Sequence, residues 1–168
     1  SSDLWFAGNG SARSSLRSRT SFQAPLRIDL EFDRREWCDN HWIVLTTDPY
    51  YTFNKGSEPD AIKFIYNCET KYIKTESGNM NATCPLHLNP RMNATLTIDE
   101  YGFSTFADNT CPGISYWDSL GKLGGKDFYV YVGADREDHA QPSNKVHRTT
   151  FRSVKISGEG SVDRKSVV

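Results

Sequence analysis

The feature that most restricts how this chain can fold is an alternation of apolar and charged residues over Leu26–Asp33. In the run LRIDLEFD every second side chain is apolar, and those between are charged, so an extended backbone separates the two kinds. Such alternation is typical of a β-strand with one packed face and one solvated face. Apolar residues at helical spacing do not persist over more than about ten residues anywhere in the chain. The sequence therefore predicts an all-β domain.

Other short segments are rich in β-branched and aromatic residues and are separated by loops of glycine, proline, asparagine and aspartate. Asp99-Glu100-Tyr101 is expected to form a hairpin turn, and Leu4–Phe6 an N-terminal strand or plug. Short strands spaced in this way are typical of an antiparallel two-sheet β-sandwich or a barrel. Further strands are predicted at His41–Thr47, Ala61–Tyr66, Ala94–Ile98, Gly102–Phe106, Asp127–Val132 and Lys145–Ser157, the last with a bulge or register change.

The length of the chain and its net charge limit the classes of function that the protein can have. The 168 residues suit one compact domain, which we predict for residues 1–158, with the polar residues 159–168 as a tail or linker. A net charge of −1 gives no electrostatic reason to expect a nucleic-acid or anionic-membrane partner. No apolar run approaches the roughly 20 residues of a membrane-spanning helix. The opening SSDLWFAGNG lacks the features of a signal peptide, as expected for a mature chain or a fragment.

The cysteines and glycosylation sequons indicate the secretory route. The four cysteines, an even number, are widely spaced and form no CxxC pair, which disfavours a zinc or redox site and favours two disulfides over four buried thiols. Asn9, Asn81 and Asn93 each begin an Asn-x-Ser/Thr acceptor. We therefore expect a secreted, extracellular or cell-surface glycoprotein. Among the three possible connectivities we predict Cys38–Cys68 and Cys84–Cys111, because each pair brackets strands that can lie side by side.

Two long runs resemble a known fold. The C-terminal run FYVYVGADREDHAQPSNKVHRTTFRSVKISG resembles the closing strands of concanavalin A-like and laminin-G-like jelly rolls, where a V-G-A corner and a polar loop precede a last strand F-x-x-V-x-I-S-G. The early run SLRSRTSFQAPLRIDLEFDRREWCDNHWIVLTT is similar to the opening of that fold and to the β-sandwich domain named after farnesoic acid O-methyltransferase. The resemblance implies a lectin-like jelly-roll sandwich. Since that fold carries many functions, it implies sugar binding only as one of them.

One acidic cluster is a candidate for catalysis. Glu31, Asp33 and Glu36 fit E-x-D-x-x-E, which is similar to the catalytic strand of retaining β-glucanases with this fold; there the glutamates are the nucleophile and the acid/base, and the aspartate orients the nucleophile. In a retaining enzyme the two carboxyl groups lie about 5–5.5 Å apart on one face. Glu31 and Asp33 share a face because strand residues alternate between two faces. Glu36 joins them only if a bulge shifts the register by one residue. The alternative is a solvated edge in which Arg34 and Arg35 pair with the carboxylates.

Aromatic and polar residues at strand ends are candidates for a sugar site. A sugar is held by an aromatic surface for its C–H face and by polar groups for its hydroxyls. For Trp42, within HWIVL, we expect a place in the core; Trp117, in a predicted loop, is the better exposed candidate. The predicted ligand residues are Trp37, Asp39, Asn40, Tyr50, Tyr51, Tyr116, Trp117 and Asp118.

Asp135, Glu137 and Asp138 crowd one predicted loop and are candidates for a calcium site, because calcium prefers carboxylate and carbonyl oxygens. A solvated turn is the alternative. Taken together, the sequence predicts a non-catalytic extracellular binding or adhesion module whose partner is a glycan or another glycoprotein. Calcium is its candidate cofactor. The alternatives are a structural building block of a secreted glycoprotein assembly and a small retaining glycoside hydrolase.

Overall fold

The chain folds into two antiparallel β-sheets packed face to face. The computed structural model describes residues 4–6, 13–33, 39–51, 61–66, 70–75, 78–83, 91–108, 113–117, 123–136, 150–158 and 165–167. The strands are β1 Leu4–Phe6, β2 Arg13–Ser18, β3 Leu26–Asp33, β4 Asp39–Thr46, β5 Ala61–Tyr66, β6 Thr70–Thr75, β7 Gly78–Thr83, β8 Arg91–Ile98, β9 Phe103–Asp108, β10 Ile114–Trp117, β11 Tyr129–Arg136, β12 Thr150–Gly158 and β13 Lys165–Val167. Within the described ranges there is no helix long and apolar enough to cross a membrane.

One sheet has seven strands in the order β1-β2-β11-β4-β5-β6-β7, and the other has six in the order β10-β9-β8-β3-β12-β13. Each sheet includes one strand from the other half of the chain, β11 between β2 and β4 in the first and β3 between β8 and β12 in the second, and such crossing connections are typical of a jelly-roll sandwich. The predicted all-β, two-sheet antiparallel fold is confirmed.

The core lies between the sheets and follows from period-two alternation. On β3, Ile28 and Phe32 are fully buried, while Arg27 is exposed. On β8 the burial alternates in the same way along all eight residues. Each fully buried aliphatic or aromatic side chain stabilises the fold by about 1.5–3 kcal/mol relative to an exposed one. The alternation read from LRIDLEFD thus fixes which side of the six-stranded sheet faces the core.

A second, smaller apolar cluster lies on the other side of the seven-stranded sheet. Its members include Trp42, Val44, Tyr51, Ile65 and Tyr131. The expectation that Trp42 is a core residue is therefore confirmed, although it belongs to this second cluster and not to the core between the sheets.

One end of the sandwich is described almost completely and is called the turn end below. At this end the last residue of β4, Thr46, pairs with the first residue of β11, Tyr129. In the other sheet the last residue of β8, Ile98, pairs with the first residue of β3, Leu26. Between β2 and β3 the chain crosses from one sheet to the other. On the way, Phe22 forms a bridge to Phe128 through two backbone hydrogen bonds of 2.8 and 2.9 Å.

Several strands of the structure lie where the sequence predicts a loop or no strand at all. Tyr116 and Trp117, predicted in a loop, lie in β10, because Ile114–Trp117 pairs with the edge of β9. Asp135, also predicted in a loop, lies in β11, which extends to Arg136 by pairing with β4. Residues 159–168 include strand β13, which pairs with β12. The irregularity predicted in the last long strand is present as a register shift between Phe151 and Ser153.

Candidate functional site

Two tyrosines stand out at the turn end because they are exposed where most large apolar side chains are buried. Tyr50, just after β4, is 80% exposed, and Tyr101, between β8 and β9, is 55% exposed. In the part of the chain that the structure describes, these two are the exposed large hydrophobic residues. An exposed aromatic ring contributes little to folding, and its apolar face is accessible to a ligand.

The β8–β9 turn holds Tyr101 through a single aspartate. Asp99 Oδ1 accepts the backbone N–H groups of Tyr101 and Phe103, each at 2.9 Å. The backbone turns at Gly102, whose φ of 85° lies in the left-handed region that glycine adopts without steric cost. The turn is therefore fixed by its own sequence, and Tyr101 is presented in a defined place.

Beside this turn lies a groove of about 530 Å³, called the hairpin groove. Its apolar lining comes from Pro25, Leu26 and Ile98 and from the half-buried Phe103, and Tyr101 also lines it. Its polar lining is supplied by Arg27, Thr97, Asp99, Glu100 and Thr105. Concave sites of a few hundred Å³ with apolar walls and a few polar groups are typical of small-ligand sites.

The charges around the groove are partly compensated. Arg27 forms a two-pronged pair with Asp29, with Nε and Nη2 each 2.9 Å from a carboxylate oxygen. Thr95 Oγ1 donates to the same carboxylate at 3.0 Å. The hydrogen bond from Arg27 is the main reason that the pKa of Asp29 lies below its ordinary value. Arg27 is thereby fixed in orientation at the groove.

The carboxylate of Glu100 is next to the Tyr101 phenol in sequence. Its interaction with the hydroxyl is the main reason that the pKa of Tyr101 lies above its ordinary value, because losing the proton would bring two negative charges together. The phenol therefore remains a neutral donor at physiological pH. The groove offers an aromatic ring, hydroxyl groups, carboxylates and a guanidinium within one small concavity.

The turn that carries Tyr50 is equally well fixed. Asp48 Oδ1 accepts the backbone N–H of Tyr50 at 2.8 Å, and Thr46 Oγ1 accepts that of Asp48 at 3.1 Å. The hydroxyl of Tyr131 donates to the Asp48 carbonyl at 2.9 Å and accepts the N–H of Tyr51 at 3.1 Å. Burial is the main reason that the pKa of Tyr131 is raised, so this hydroxyl keeps its proton.

Arg17 braces the same turn from β2. Its Nη1 donates to the Pro49 carbonyl, and its guanidinium lies 4.8 Å from the centre of the Tyr129 ring. Tyr51 itself is buried, with its ring edge-on to Tyr131 at 5.5 Å and near the buried Lys63. Of the two tyrosines predicted here as ligand residues, Tyr50 is accessible, whereas Tyr51 supports the turn.

Several other predicted site residues meet on the seven-stranded sheet, at the end opposite to the turn end. Asp39 and Asn40 on β4 are the register partners of Arg136 and Asp135 on β11. The fold thus brings a predicted ligand pair next to a predicted calcium residue.

Two further predicted ligand residues lie on β10 of the six-stranded sheet. Tyr116 packs against the core from β10, and Trp117 is the register partner of Phe103, which lines the hairpin groove.

Glu31, the central residue of the acidic candidate, lies on the outer side of the six-stranded sheet. Its carboxylate is 3.9 Å from Arg91 Nε. Its register partner is Asn93, which is exposed and begins a glycosylation sequon, and Asp33 is opposite Arg91. The arginine beside Glu31 is thus Arg91, whereas Arg34 and Arg35, the arginines of the solvated alternative, lie outside the described residues.

Some predicted residues lie outside the described residues: Glu36, Trp37, Asp118, Glu137, Asp138, Asn9 and all four cysteines. The disulfide pairing, the calcium loop and the third acidic residue therefore stay predictions. Asn81 lies on β7 as the register partner of Tyr72. Among the described residues, no three His, Cys, Asp or Glu side chains are grouped as metal ligands usually are.

Sequence reasoning missed the hairpin groove, because Tyr101 was assigned to a turn and no ligand role followed. A signal was present, however. Asp48-Pro49-Tyr50 and Asp99-Glu100-Tyr101 share the pattern Asp-x-Tyr, and in both turns the aspartate accepts the tyrosine's N–H. Turn positions favour glycine, asparagine and aspartate, so a tyrosine repeated there is unusual.

Comparison with known proteins identifies the fold. No family model matches the sequence, and no curated protein matches it either. Solved structures do match: a legume lectin-like domain from Entamoeba histolytica has a TM-score of 0.58 at 12% identity, covering 94% of this chain and 85% of its own. An alginate lyase from Pseudomonas aeruginosa has a TM-score of 0.58 at 11% identity, covering 93% and 81%.

A glycoside hydrolase family 16 endo-glucanase from Bacteroides ovatus is similar to the same extent, with a TM-score of 0.55 at 10% identity and coverage of 89% and 81%. The chain thus has the concanavalin-like jelly-roll fold, and the resemblance seen in the sequence is confirmed. Structures with this fold include both lectins and enzymes that act on glycans. At such low identity the comparison defines the architecture alone.

Proposed function

We propose that this protein is a non-catalytic carbohydrate-binding module and that the hairpin groove is its sugar site. The observation that carries the proposal is the exposed ring of Tyr101, on a turn whose backbone is held by Asp99, in a groove also lined by Arg27 and Glu100. The ring matches the apolar C–H face of a sugar, and the carboxylate, hydroxyl and guanidinium groups match its hydroxyls. Lectins among the structures with this fold support the same class of ligand.

The position of Glu31 supports a non-catalytic role. A carboxylate that serves as a nucleophile needs access to the sugar and a second carboxyl group nearby. Glu31 instead lies beside Arg91 and opposite the exposed Asn93. A glycan attached to Asn93 would cover this part of the sheet. That glycan and a sugar substrate at Glu31 would therefore exclude each other sterically.

The proposal is tested by a glycan array with the full chain, followed by calorimetry with the best ligand. Tyr101→Ala should weaken binding by about tenfold or more, equivalent to about 1.4 kcal/mol, because the stacking surface is lost. Tyr101→Phe keeps the ring and should lose less. Arg152→Ala, at an exposed position of β12, serves as the control that leaves binding unchanged.

Further measurements distinguish carbohydrate binding from the alternative functions. Repeating the array with EDTA shows whether a metal ion such as calcium is needed. Absence of saturable binding to every glycan would contradict the proposal and favour a structural building block of a glycoprotein assembly. Release of reducing sugar from the bound glycan that is lost in Glu31→Gln would favour the hydrolase instead.

We also propose that the chain is a secreted glycoprotein with two disulfides. Asn93 supports this because its side chain is exposed on β8 and accessible to a glycan. Protein from a secreting eukaryotic host should lose mass on enzymatic deglycosylation, and non-reducing peptide maps should show Cys38–Cys68 and Cys84–Cys111. Asn93→Gln should remove one glycan. An unchanged mass after deglycosylation, or four alkylatable thiols before reduction, would contradict this proposal.

A further inference from the structure

A line of polar residues crosses the outer face of the six-stranded sheet and passes through the hairpin groove. Strand pairing places Thr97 of β8 directly opposite Thr105 of β9, and Thr105 opposite Ser115 of β10. In the other direction Thr97 is opposite Arg27 of β3, and Arg27 is opposite Ser157 of β12. Residues directly opposite each other on antiparallel strands lie on the same face of a sheet. These five residues, called the cross-strand row, therefore form one line over five adjacent strands.

The cross-strand row lies on the solvent side of the sheet and not in the core. Its neighbours along the strands, Leu96 and Ile98 on β8 and Ile156 on β12, are core residues, and side chains alternate between the two faces of a strand. In the row itself the arginine is exposed and the four hydroxyl residues are half-buried. The row is about 19 Å long, because neighbouring strands lie about 4.8 Å apart. One sugar ring is much shorter than this, so the row can contact several sugar residues of a chain.

The hairpin groove contains the middle of the row. Arg27, Thr97 and Thr105 line the groove, and Ser115 and Ser157 lie one strand further out on either side. The hydroxyl oxygens of Thr105 and Ser115 are 3.4 Å apart, so the polar surface continues from the groove onto β10. Each hydroxyl can donate and accept a hydrogen bond, which matches the hydroxyl groups along a sugar chain.

The residues on both sides of the row limit the direction in which a bound chain can extend. Towards the middle of the sheet, the carboxylate of Asp29 is bound by Arg27 and Thr95, and Lys155 is its register partner. A chain that ran along the strands would desolvate this charged network, which costs free energy. On the other side is the β8–β9 turn, whose Tyr101 lines the groove. The direction along the row, across the strands, is therefore the favoured one.

The charges of the groove favour an uncharged sugar. Among the described residues that line it, Arg27 supplies the positive charge, and its guanidinium is paired with Asp29. Asp99 and Glu100 add two carboxylates to the lining. Because the arginine is compensated by its own partner, the net field of the groove is negative and repels a sugar that carries a carboxylate or a sulfate group.

We infer that the ligand of this protein is a linear, uncharged oligosaccharide that lies along the cross-strand row, across the strands of the six-stranded sheet. The inference rests on the proposed carbohydrate binding and adds to it the direction and the charge class of the ligand. One sugar residue occupies the hairpin groove against Tyr101, and its neighbours in the chain reach Ser115 and Ser157. These outer contacts raise affinity because they form within an already bound complex.

The experiment measures the affinity of the full chain for uncharged oligomers of the best array sugar, from the monosaccharide to the longest soluble oligomer. Affinity should rise with length. Ser115→Ala and Ser157→Ala should each weaken binding of the long oligomers by about threefold to tenfold, the usual effect of one lost hydrogen bond, and leave monosaccharide binding unchanged. Thr97→Val, in the middle of the row, should weaken binding at every length.

Ser153→Ala is the matched control. Ser153 is half-buried on the same face of β12 as Ser157, but it is opposite Glu31 and not Arg27. It lies four positions along the strand, or about 13 Å, from the row. The variant should bind every oligomer as wild type does. Thermal unfolding of each variant verifies that the fold is preserved.

A second series tests the charge class with oligomers of equal length that carry uronic acid or sulfate groups. Wild type should bind these at least about tenfold more weakly than the uncharged oligomers. Glu100→Gln should reduce this difference, because it removes one of the two carboxylates from the groove. Equal or tighter binding of the acidic oligomers would show that the charge class is wrong.

The outcomes separate the two proposals. If wild-type affinity does not depend on length, or if its rise with length persists in both Ser115→Ala and Ser157→Ala, the direction of the ligand is wrong while carbohydrate binding stands. If wild type binds no glycan on the array, the proposed function and this inference are both overturned.

Discussion

Asp29 shows how a single residue can couple the groove to pH. Its carboxylate receives three hydrogen bonds from Arg27 and one from Thr95, and these outweigh the opposing effect of its partial burial, so its pKa is lowered. A carboxyl group with a lowered pKa in the folded state stabilises the fold when it is ionised. Asp29 therefore links the charge state of the sheet surface to the orientation of Arg27 in the groove.

The stabilisation from Asp29 should be present at neutral pH and disappear in acid. It is complete above the unfolded-state pKa of about 3.9 and is lost as pH falls through the lower folded-state value. Because the pair is largely exposed, Asp29→Asn should lower the free energy of unfolding by only about 0.5–1 kcal/mol at neutral pH.

Urea unfolding at neutral and at acidic pH measures this difference. Arg27→Gln should cost about as much as Asp29→Asn, and the double variant no more than either one, since both remove the same pair. A loss that is equally large in acid and at neutral pH would show that the carboxylate charge is not the cause.

At the scale of single elements, the sequence predicted strands best where apolar residues mark them. Leu26–Asp33, with its uninterrupted alternation, and Ala61–Tyr66, a short apolar run, have the same bounds in the prediction and in the structure. The polar strands β6 and β7, with sequences TKYIKT and GNMNAT, were missed because they lack the apolar period that identifies a strand. They form as consecutive hairpins that pair successively onto β5 at one side of the sheet.

The candidate site was not predictable from local sequence. The aromatic content around Tyr50 suggested a ligand role, and the structure shows that this residue is exposed, but it does not line the hairpin groove. Tyr101 was not suggested, because its importance comes from the groove that β3 and the β8–β9 turn form together. The register of Leu26 against Ile98 creates this proximity over more than seventy positions of sequence. The residues around Leu26 or around Ile98 do not, by their composition, indicate that the two strands pair.

At the scale of the whole molecule, the crossover between β2 and β3 ties the two sheets together. Phe22 lies in this crossover, 1% exposed within the core, and its backbone is bonded in both directions to Phe128, next to β11. The neighbouring peptide between Ala24 and Pro25 is cis, and Pro25 lines the hairpin groove. The same short segment thus closes the core, joins the sheets and forms one wall of the candidate site.

Because Phe22 contacts the shared core, its removal should weaken both sheets at once. Phe22→Ala should lower the free energy of unfolding by about 3–5 kcal/mol, the usual cost of deleting a buried phenylalanine, out of a total of about 5–15 kcal/mol for a domain. Gln23→Ala is the matched control: Gln23 is exposed in the same segment and only donates to Asp127 at 2.9 Å. It should cost about 0.5 kcal/mol or less.

Equilibrium urea unfolding followed by tryptophan fluorescence and by far-ultraviolet circular dichroism distinguishes a shared core from two independent sheets. The chain has four tryptophans, so the measurement uses a background in which the other three are replaced by phenylalanine. Fluorescence of Trp42 then reports on the seven-stranded sheet, and circular dichroism reports on all strands. For a single cooperative unit, Phe22→Ala moves both curves to the same lower midpoint. Separate midpoints would mean that the sheets unfold independently, and the groove would then depend on the six-stranded sheet without support from its partner.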